Sequence, residues 1–285
     1  MAASVTISVD GRELGVAPGS TLREACREAG VEIPTLCFTP NFSPANACRL
    51  CVVEVVGART LVPACSRAVE PGMQVLTGSQ RVRLSRRLVL ELLASSVDLS
   101  IAGDLQTLIA EYEARPERFA GEDAATVRQP VKVDNELYVR DYSKCVLCYR
   151  CVQACGSEAQ NTFAIWVSGR GFEARIATEF DAPLPDSACV YCGNCIEVCP
   201  TGALMFKTEF DLRESDSWAE ERQHTTTTIC PYCGVGCSLD LVVQDNHVVR
   251  VNSPADDEIT HGNLCIKGRF GTQAPIKPSR ARPPS

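Results

Sequence analysis

The sequence predicts an α+β chain of several small domains, each gathered around cysteines and not around one continuous apolar core. Three observations lead there. Seventeen cysteines in 285 residues fall into tight groups separated by cysteine-free stretches. The first thirty or so residues switch from a period of two to a period near 3.6, a strand-to-helix change. Residues 145–199 carry two cysteine runs of the same spacing. Modules this small bury too little apolar surface to fold on packing alone, and bound metal can replace the missing core.

Val5, Ile7 and Val9 alternate with polar residues, which predicts a half-buried strand. Asp10-Gly11 is a hairpin turn signal, and Glu13 to Ala17 returns as the second strand. Thr21-x-x-Glu24 reads as a capping box. Leu22, Ala25, Cys26 and Ala29 then share one helix face, and Gly30 ends the helix. Strand, strand, helix and a cysteine loop is the order of a β-grasp ferredoxin. The loop reads Cys37-x10-Cys48-x2-Cys51-x13-Cys65. Two thiolates per iron from a long loop and a distant fourth ligand suit a [2Fe–2S] cluster. The ten-residue gap departs from the plant-type spacing, and zinc stays open on spacing alone. Val52–Val56 and Met73–Leu76 complete the sheet. Cys26, on an apolar helix face, is read as a small buried hydrophobe.

Residues 80–96 predict a helix with Val82, Leu88, Val89, Leu92 and Leu93 inward and Arg81, Arg83, Arg86 and Arg87 outward. The arginines are read as a solvated face, with a docking face as the alternative. Asp104–Tyr112 is a second short helix, Arg115–Gln129 a linker, and Val131–Val139 a strand.

The next segment organises the chain. Cys145-x2-Cys148-x2-Cys151-x3-Cys155 is followed by Cys189-x2-Cys192-x2-Cys195-x3-Cys199-Pro200. Three thiolates two residues apart can wrap three corners of a cubane from one loop, and the fourth of each run ligates the neighbouring cluster. One [4Fe–4S] cluster is therefore assigned to Cys145, Cys148, Cys151 and Cys199, and another to Cys189, Cys192, Cys195 and Cys155. Zinc knuckles pair Cys-x2-Cys with a distant second pair, unlike four cysteines in eleven residues. Between the runs, Phe163–Val167 and Phe172–Phe180 read as strands covering the clusters, with Trp166 in core packing. Asp211–Thr228 is read as a connector. A last set, Cys230-x2-Cys233-x3-Cys237-x27-Cys265, can cage a third cubane, with zinc again open on spacing alone. Leu239–Val243 and His247–Val251 form a hairpin inside it.

The net charge of −7 argues against nucleic acid as the main partner. The apolar stretches are too short for membrane insertion, and the start lacks a signal-peptide pattern. Cysteines without an export signal suggest a cytoplasmic protein that uses thiolates for metal.

Three sets of words carry a family resemblance. Ile33-Pro-Thr-Leu-Cys37, Ala47-Cys-Arg-Leu-Cys-Val-Val-Glu-Val55 and Pro63-Ala-Cys65 resemble the N-terminal domain of the large iron–sulfur subunit of respiratory complex I. They equally resemble the matching domains of NAD-reducing hydrogenases and NAD-dependent formate dehydrogenases. Ile229-Cys-Pro-Tyr-Cys-Gly-Val-Gly-Cys237 and Gly262-Asn-Leu-Cys-Ile-Lys-Gly-Arg-Phe270 resemble the iron–sulfur segment opening the catalytic domain of molybdopterin-dependent formate dehydrogenases.

The resemblance implies one [2Fe–2S] and three [4Fe–4S] clusters on 16 of the cysteines, leaving Cys26. It also implies that Lys267 lies between the last cubane and a pterin cofactor. The family's further cluster, ligated by one His and three Cys, has no ligands here, because no His or Cys occurs between Cys65 and Cys145. Serines there are too hard to hold iron. His224, His247 and His261 are surplus.

The expected domains are 1–78 (β-grasp [2Fe–2S]), 79–130 (helical spacer and linker), 131–210 (bacterial-type double [4Fe–4S]), 211–228 (connector), 229–271 (small [4Fe–4S] domain) and 272–285 (tail). With no pterin-binding domain after residue 271, the chain is expected to be a non-catalytic electron relay. Its partners are then a molybdopterin (Mo or W) catalytic subunit on a separate chain and a flavin/NAD-linked diaphorase subunit. A truncated relic is the other reading of that ending. Rival functions are a diaphorase subunit of an NAD-reducing hydrogenase, against which the last cysteine set argues, or of a complex I-like assembly, and a redox-sensing iron–sulfur protein.

Overall fold

A computed structural model describes residues 4–121 and 129–273. The described residues are mixed α and β, with four separate sheets among them that have two to five strands each. Strand β1 (Val5–Val9) turns through Asp10 and Gly11, both at positive φ, into β2 (Arg12–Val16). Helix α1 (Leu22–Glu28) starts on the Thr21 capping box: Thr21 Oγ1 accepts from Glu24 N at 3.2 Å, and Thr21 N donates to Glu24 Oε2 at 2.7 Å. Strands β3 (Val52–Val55), β4 (Val62–Pro63) and β5 (Gln74–Leu76) complete a sheet of order β2-β1-β5-β3-β4. Only the β1–β5 pair is parallel. Ile7, Val9, Leu22, Ala25, Val53 and Val75 pack between sheet and helix, with Cys51 and Cys65 at the edge of the same cluster.

Helix α2 (Gln80–Ser96) is capped by Ser79, and α3 (Gly103–Glu111) packs against it. The expected faces of α2 need correction. Arg86, read as outward, is only 3 % exposed, and Leu92, read as inward, is 51 % exposed. Arg86 donates from Nε to Leu50 O (3.0 Å), from Nη2 to Val52 O (2.9 Å) and from Nη1 to the Tyr112 hydroxyl (2.8 Å). Its guanidinium thus ties helix α2 to a carbonyl of the cysteine loop, Leu50, and to the first carbonyl of β3, Val52. Arg86→Met is expected to leave both carbonyls buried and unpaired, at a cost of about 3 kcal/mol, read as a lower urea midpoint. An unchanged midpoint would contradict this account of the arginine.

The linker is only partly irregular. Pro116–Arg118 forms a short 3-10 turn, and buried Glu91 accepts from Arg115 N (3.0 Å) and Arg118 Nη1 (2.7 Å); residues 122–128 lie outside the described residues. The expected strand at 131–139 shortens to β6 (Tyr138–Arg140). Asn135 Oδ1 accepts from Leu137 N and Tyr138 N and turns the chain back, so that Lys132 bridges Arg140.

β6 pairs antiparallel with β9 (Leu204–Phe206), and between them come α4 (Arg150–Cys155), the hairpin β7 (Trp166–Ser168) with β8 (Arg175–Ala177), and α5 (Asn194–Glu197). The expected strands of this hairpin also shorten to three residues each. Trp166 is 54 % exposed, against the core role expected for it. The alternation explains it: Val167 and its partner Ile176 lie on the inward face with Ile165, and Trp166, which pairs with Ala177, lies on the opposite face beside Phe163.

The connector is the other correction. Helix α6 (Lys207–Glu214) follows β9 directly, and β10 (Gln223–Ile229) is a full strand. Its four threonines, good strand formers, pair with β11 (Ser238–Gln244), which turns through Asp245 and Asn246 into β12 (His247–Asn252). Helix α7 (Ile266–Phe270) closes this last sheet. Among the described residues no helix is long and apolar enough to cross a membrane.

Candidate metal centres

Cys37 follows α1, Cys48 and Cys51 flank a turn entering β3, and Cys65 leaves β4. The β3–β4 pairing therefore brings Cys51 and Cys65 together, with sulfurs 3.4 Å apart. Cys48 N donates to Cys37 Sγ at 3.5 Å. Asn46 and Arg49, both at positive φ, bend the chain on either side of Cys48. Within each pair one thiol is eased toward the thiolate. Cys37 is pulled down to about 5, chiefly by its hydrogen bond with Cys48 and against its own burial, and Cys51 to about 7 by its bond with Cys65. Cys48 and Cys65 are pushed up by the same bonds and by burial.

The two four-cysteine runs share one backbone conformation. Leu147 and Tyr191 have φ of 51° and 56°, and Tyr149 and Gly193 have 66° and 73°. These left-handed residues aim successive N–H groups at sulfur. Leu147 N donates to Cys145 and Arg150 N to Cys148; Tyr191 N donates to Cys189 and Asn194 N to Cys192. Two cavities result. One is lined by Cys145, Cys148, Cys151 and Cys199, the other by Cys155, Cys189, Cys192 and Cys195. The fourth sulfur of each run thus lies at the other run's cavity. α4 and α5 start inside the first and second run and cross-pack, which carries Cys155 and Cys199 over.

Burial pushes Cys145 up to about 11 and Cys148 up to about 12, and holds Cys151 and Cys195 well above the usual thiol range. Thiols raised in this way ionise together only beside strong positive charge, which iron supplies. The donor set fits an iron–sulfur cluster. Among the described residues no three Cys, His, Asp or Glu side chains converge tightly enough for a single metal ion.

Tyr138, missed in the sequence, places its hydroxyl 3.0 Å from Cys189 Sγ. Burial, then the surrounding thiols, holds the phenol proton in place, so the hydroxyl is the donor to a thiolate there. Hydrogen bonds to ligand sulfur raise cluster potentials. Tyr138→Phe is expected to lower the potential of one four-iron site, measured by EPR-monitored titration, with iron content unchanged. Equal potentials in both proteins would contradict the role.

In the last set, Cys230 N donates to Cys237 O (2.8 Å), closing the loop that carries Cys233. Cys230 is buried, Cys237 half-buried, and Cys233 and Cys265 are exposed. Burial, then the neighbouring Cys230, Cys233 and Cys265, raises Cys237, so the four share one neighbourhood. Lys267 is exposed on α7, two residues from Cys265. The same short helix carries Arg269, which sequence reading passed over. Arg269 is 0 % exposed; it pairs with Glu197 and donates to Val251 O (2.8 Å) and Asn194 Oδ1 (3.2 Å). Phe270 stacks on Tyr138 with centroids 6.1 Å apart. A Cβ on Gly193 would stand 2.7 Å from Arg269 Cγ, so this close approach calls for glycine where the first run has Tyr149.

Cys26 is buried in the same apolar cluster as Cys51 and Cys65, and burial pushes it up to about 11. His224, His247 and His261 are exposed. Beside segment 94–106 an open cavity of about 460 Å³ is lined by Ser95, Ser96, Asp98 and Tyr142, and its one sulfur is that of Cys145.

Three family models match the chain. A 2Fe-2S iron–sulfur cluster binding domain covers residues 2–80, a ferredoxin-like domain of NADH-quinone oxidoreductase subunit 3 covers 136–205, and a molybdopterin oxidoreductase Fe4S4 domain covers 223–274. A subunit of the NADH-quinone oxidoreductase of Rhizobium meliloti is 32 % identical over 94 % of this chain and 31 % of its own length. The alpha subunit of the NADPH-Fe(3+) oxidoreductase of Geobacter sulfurreducens is 34 % identical over 98 % and 32 %. A putative formate dehydrogenase of Staphylococcus haemolyticus is 29 % identical over 93 % and 30 %. The chain thus spans about a third of the length of these curated relatives. A chain of the NAD+-reducing [NiFe]-hydrogenase in its H2-reduced state superposes with a TM-score of 0.63 at 30 % identity, over 72 % of this chain and 88 % of that one. With its ferredoxin-like 2Fe-2S and 4Fe-4S domains, this chain belongs to the family of iron–sulfur electron-transfer subunits that includes the matching chains of NADH-quinone oxidoreductase and of NAD+-reducing hydrogenase.

Proposed function

We propose that the chain is a one-electron relay with four centres. A [2Fe–2S] cluster is assigned to Cys37, Cys48, Cys51 and Cys65 in a β-grasp domain (1–78). Two [4Fe–4S] clusters are assigned to the crossed quartets of a bacterial-type double ferredoxin domain (131–210). A third is assigned to Cys230, Cys233, Cys237 and Cys265 in a small terminal domain (229–271). Clusters of this kind supply one-electron reduction and oxidation when bound.

The observation that carries the reading is the crossed lining of two neighbouring cavities. Contacts between successive sites support their order. Cys37 and Cys48 share an apolar cluster with Cys148, Leu204 lines both ferredoxin cavities, and Arg269 and Phe270 pack against Gly193. The protein's own part is to hold thiolates at fixed positions, exclude water from the inner sites and donate N–H groups to sulfur.

At the terminal end the proposed partner is a molybdopterin catalytic subunit or domain, with Lys267 facing the pterin. At the [2Fe–2S] end it is a flavin-bearing, NAD(H)-linked subunit. The relatives' names support both ends, since they include NADH-, NADPH- and formate-linked proteins.

The test is anaerobic affinity purification from the native cell with metal analysis. The expected result is about 14 irons per chain, from one two-iron and three four-iron clusters, together with molybdenum or tungsten. Iron without a second metal would overturn the pterin partner and leave the diaphorase reading. Zinc in place of iron would overturn the relay.

A further inference from the structure

One side chain lies between two of the sites and belongs to neither. Arg150 opens α4, between Cys148 and Cys151. One turn later on the same face, Gln153 Nε2 donates to Ser43 O at 2.7 Å, and Glu158 accepts from Ser43 N at 3.0 Å. Residues three apart on a helix are neighbours, so Arg150 is turned toward the loop that joins Cys37 to Cys48. Cys37, Cys48 and Cys148 belong to one apolar cluster, so the two sites meet beside this turn of α4. Burial leaves Arg150 Nε with no protein acceptor. Arginine keeps its charge even where desolvated, and a cluster at either site is one partner that would account for this buried donor.

We propose that Arg150 is a positioning residue shared by the [2Fe–2S] site of Cys37, Cys48, Cys51 and Cys65 and the [4Fe–4S] site of Cys145, Cys148, Cys151 and Cys199, its fixed positive charge easing the entry of an electron into either one. The inference rests on the proposed cluster assignment. It adds a coupling between the two sites. One electron leaves one site and enters the other, no proton moves, and the guanidinium favours the more negative state at each end. Both potentials are thereby raised together. Coulomb attraction is stronger for partly buried groups than for groups in open water.

The experiment is an anaerobic redox titration followed by EPR, on purified wild-type protein and on Arg150→Gln and Arg150→Lys, with iron counted in each. For Arg150→Gln the expected result is unchanged iron and about a tenfold less favourable reduction at both the two-iron site and one four-iron site. For a one-electron couple that is about 59 mV. Arg150→Lys keeps the charge and is expected within about threefold of wild type at both. Wild-type titration in Arg150→Gln, or an equal shift in the Gln and Lys variants, would overturn the proposal, since shape and not charge would then decide. If Arg150→Gln loses its iron, the Lys variant decides alone: a tenfold shift there would also overturn it. Absence of a two-iron signal from wild-type protein would instead sink the cluster assignment, whatever the variants do.

Discussion

Cys199→Ala is expected to empty the site of the other run. Iron should fall by about four per chain, the content of one cubane, and the loss should be at the cavity of Cys145, Cys148 and Cys151. Pairing the substitution with a second one gives the readout. Cys148→Ala combined with Cys199→Ala strikes one site twice and should lose no more iron than either alone. Cys192→Ala combined with Cys199→Ala strikes two sites and should lose about twice as much. If the pattern is reversed, each run holds its own cluster and the crossing is wrong. The physical basis is the start of α4 and α5 inside the runs, which leaves Cys155 and Cys199 on the far side of their own loops.

The second large effect is expected at Arg269. Its guanidinium is fully buried and ties α7 to Glu197, Asn194 and the carbonyl of Val251, so it joins the terminal domain to the double ferredoxin domain. Arg269→Met keeps much of the volume and removes the charge, leaving Glu197 largely buried without its partner. Breaking one side of a buried ion pair costs about 3–5 kcal/mol. The expected readouts are a lower urea midpoint and faster proteolysis after residue 222, while the iron of the three inner sites stays bound. Adding Glu197→Gln should restore part of the stability by removing the stranded charge. A single variant as resistant as wild type would refute this account of the interface.

The loop between Cys37 and Cys48 shows what a departure in spacing can mean. Its ten residues exceed the plant-type gap. In the structure Asn41 Nδ2 donates to Ala255 O (2.7 Å) and His261 O (3.3 Å), while Ser43 meets Gln153 and Glu158. The added length reaches from the first domain to both later ones. Counting residues shows that the loop is long but not what it touches.

The differences on α2 and in the β7–β8 hairpin share a cause. Periodicity assigns side chains to a face by hydropathy, so it puts arginines in solvent and Trp166 in the core. Arg86 is buried because it donates to two carbonyls distant in sequence, Leu50 in the cysteine loop and Val52 at the start of β3. Trp166 is exposed because Ile165 and Val167, on either side of it in the chain, take the inward face with Ile176. The connector differs for another reason: a threonine run is polar enough for a loop, and pairing with β11 makes it a strand.

By itself the sequence determined the grouping of the cysteines, the opening strand–strand–helix order, the capping box and the last hairpin. All of these depend on residues a few positions apart, where chain geometry leaves few choices. The tertiary structure alone decided which buried charges bind the domains together, why Gly193 stands where the first run has Tyr149, and that Tyr138 and Arg150 lie against cysteine sites. Those outcomes depend on atoms far apart in the chain meeting at a few ångströms, and no local pattern of residue types carries that information.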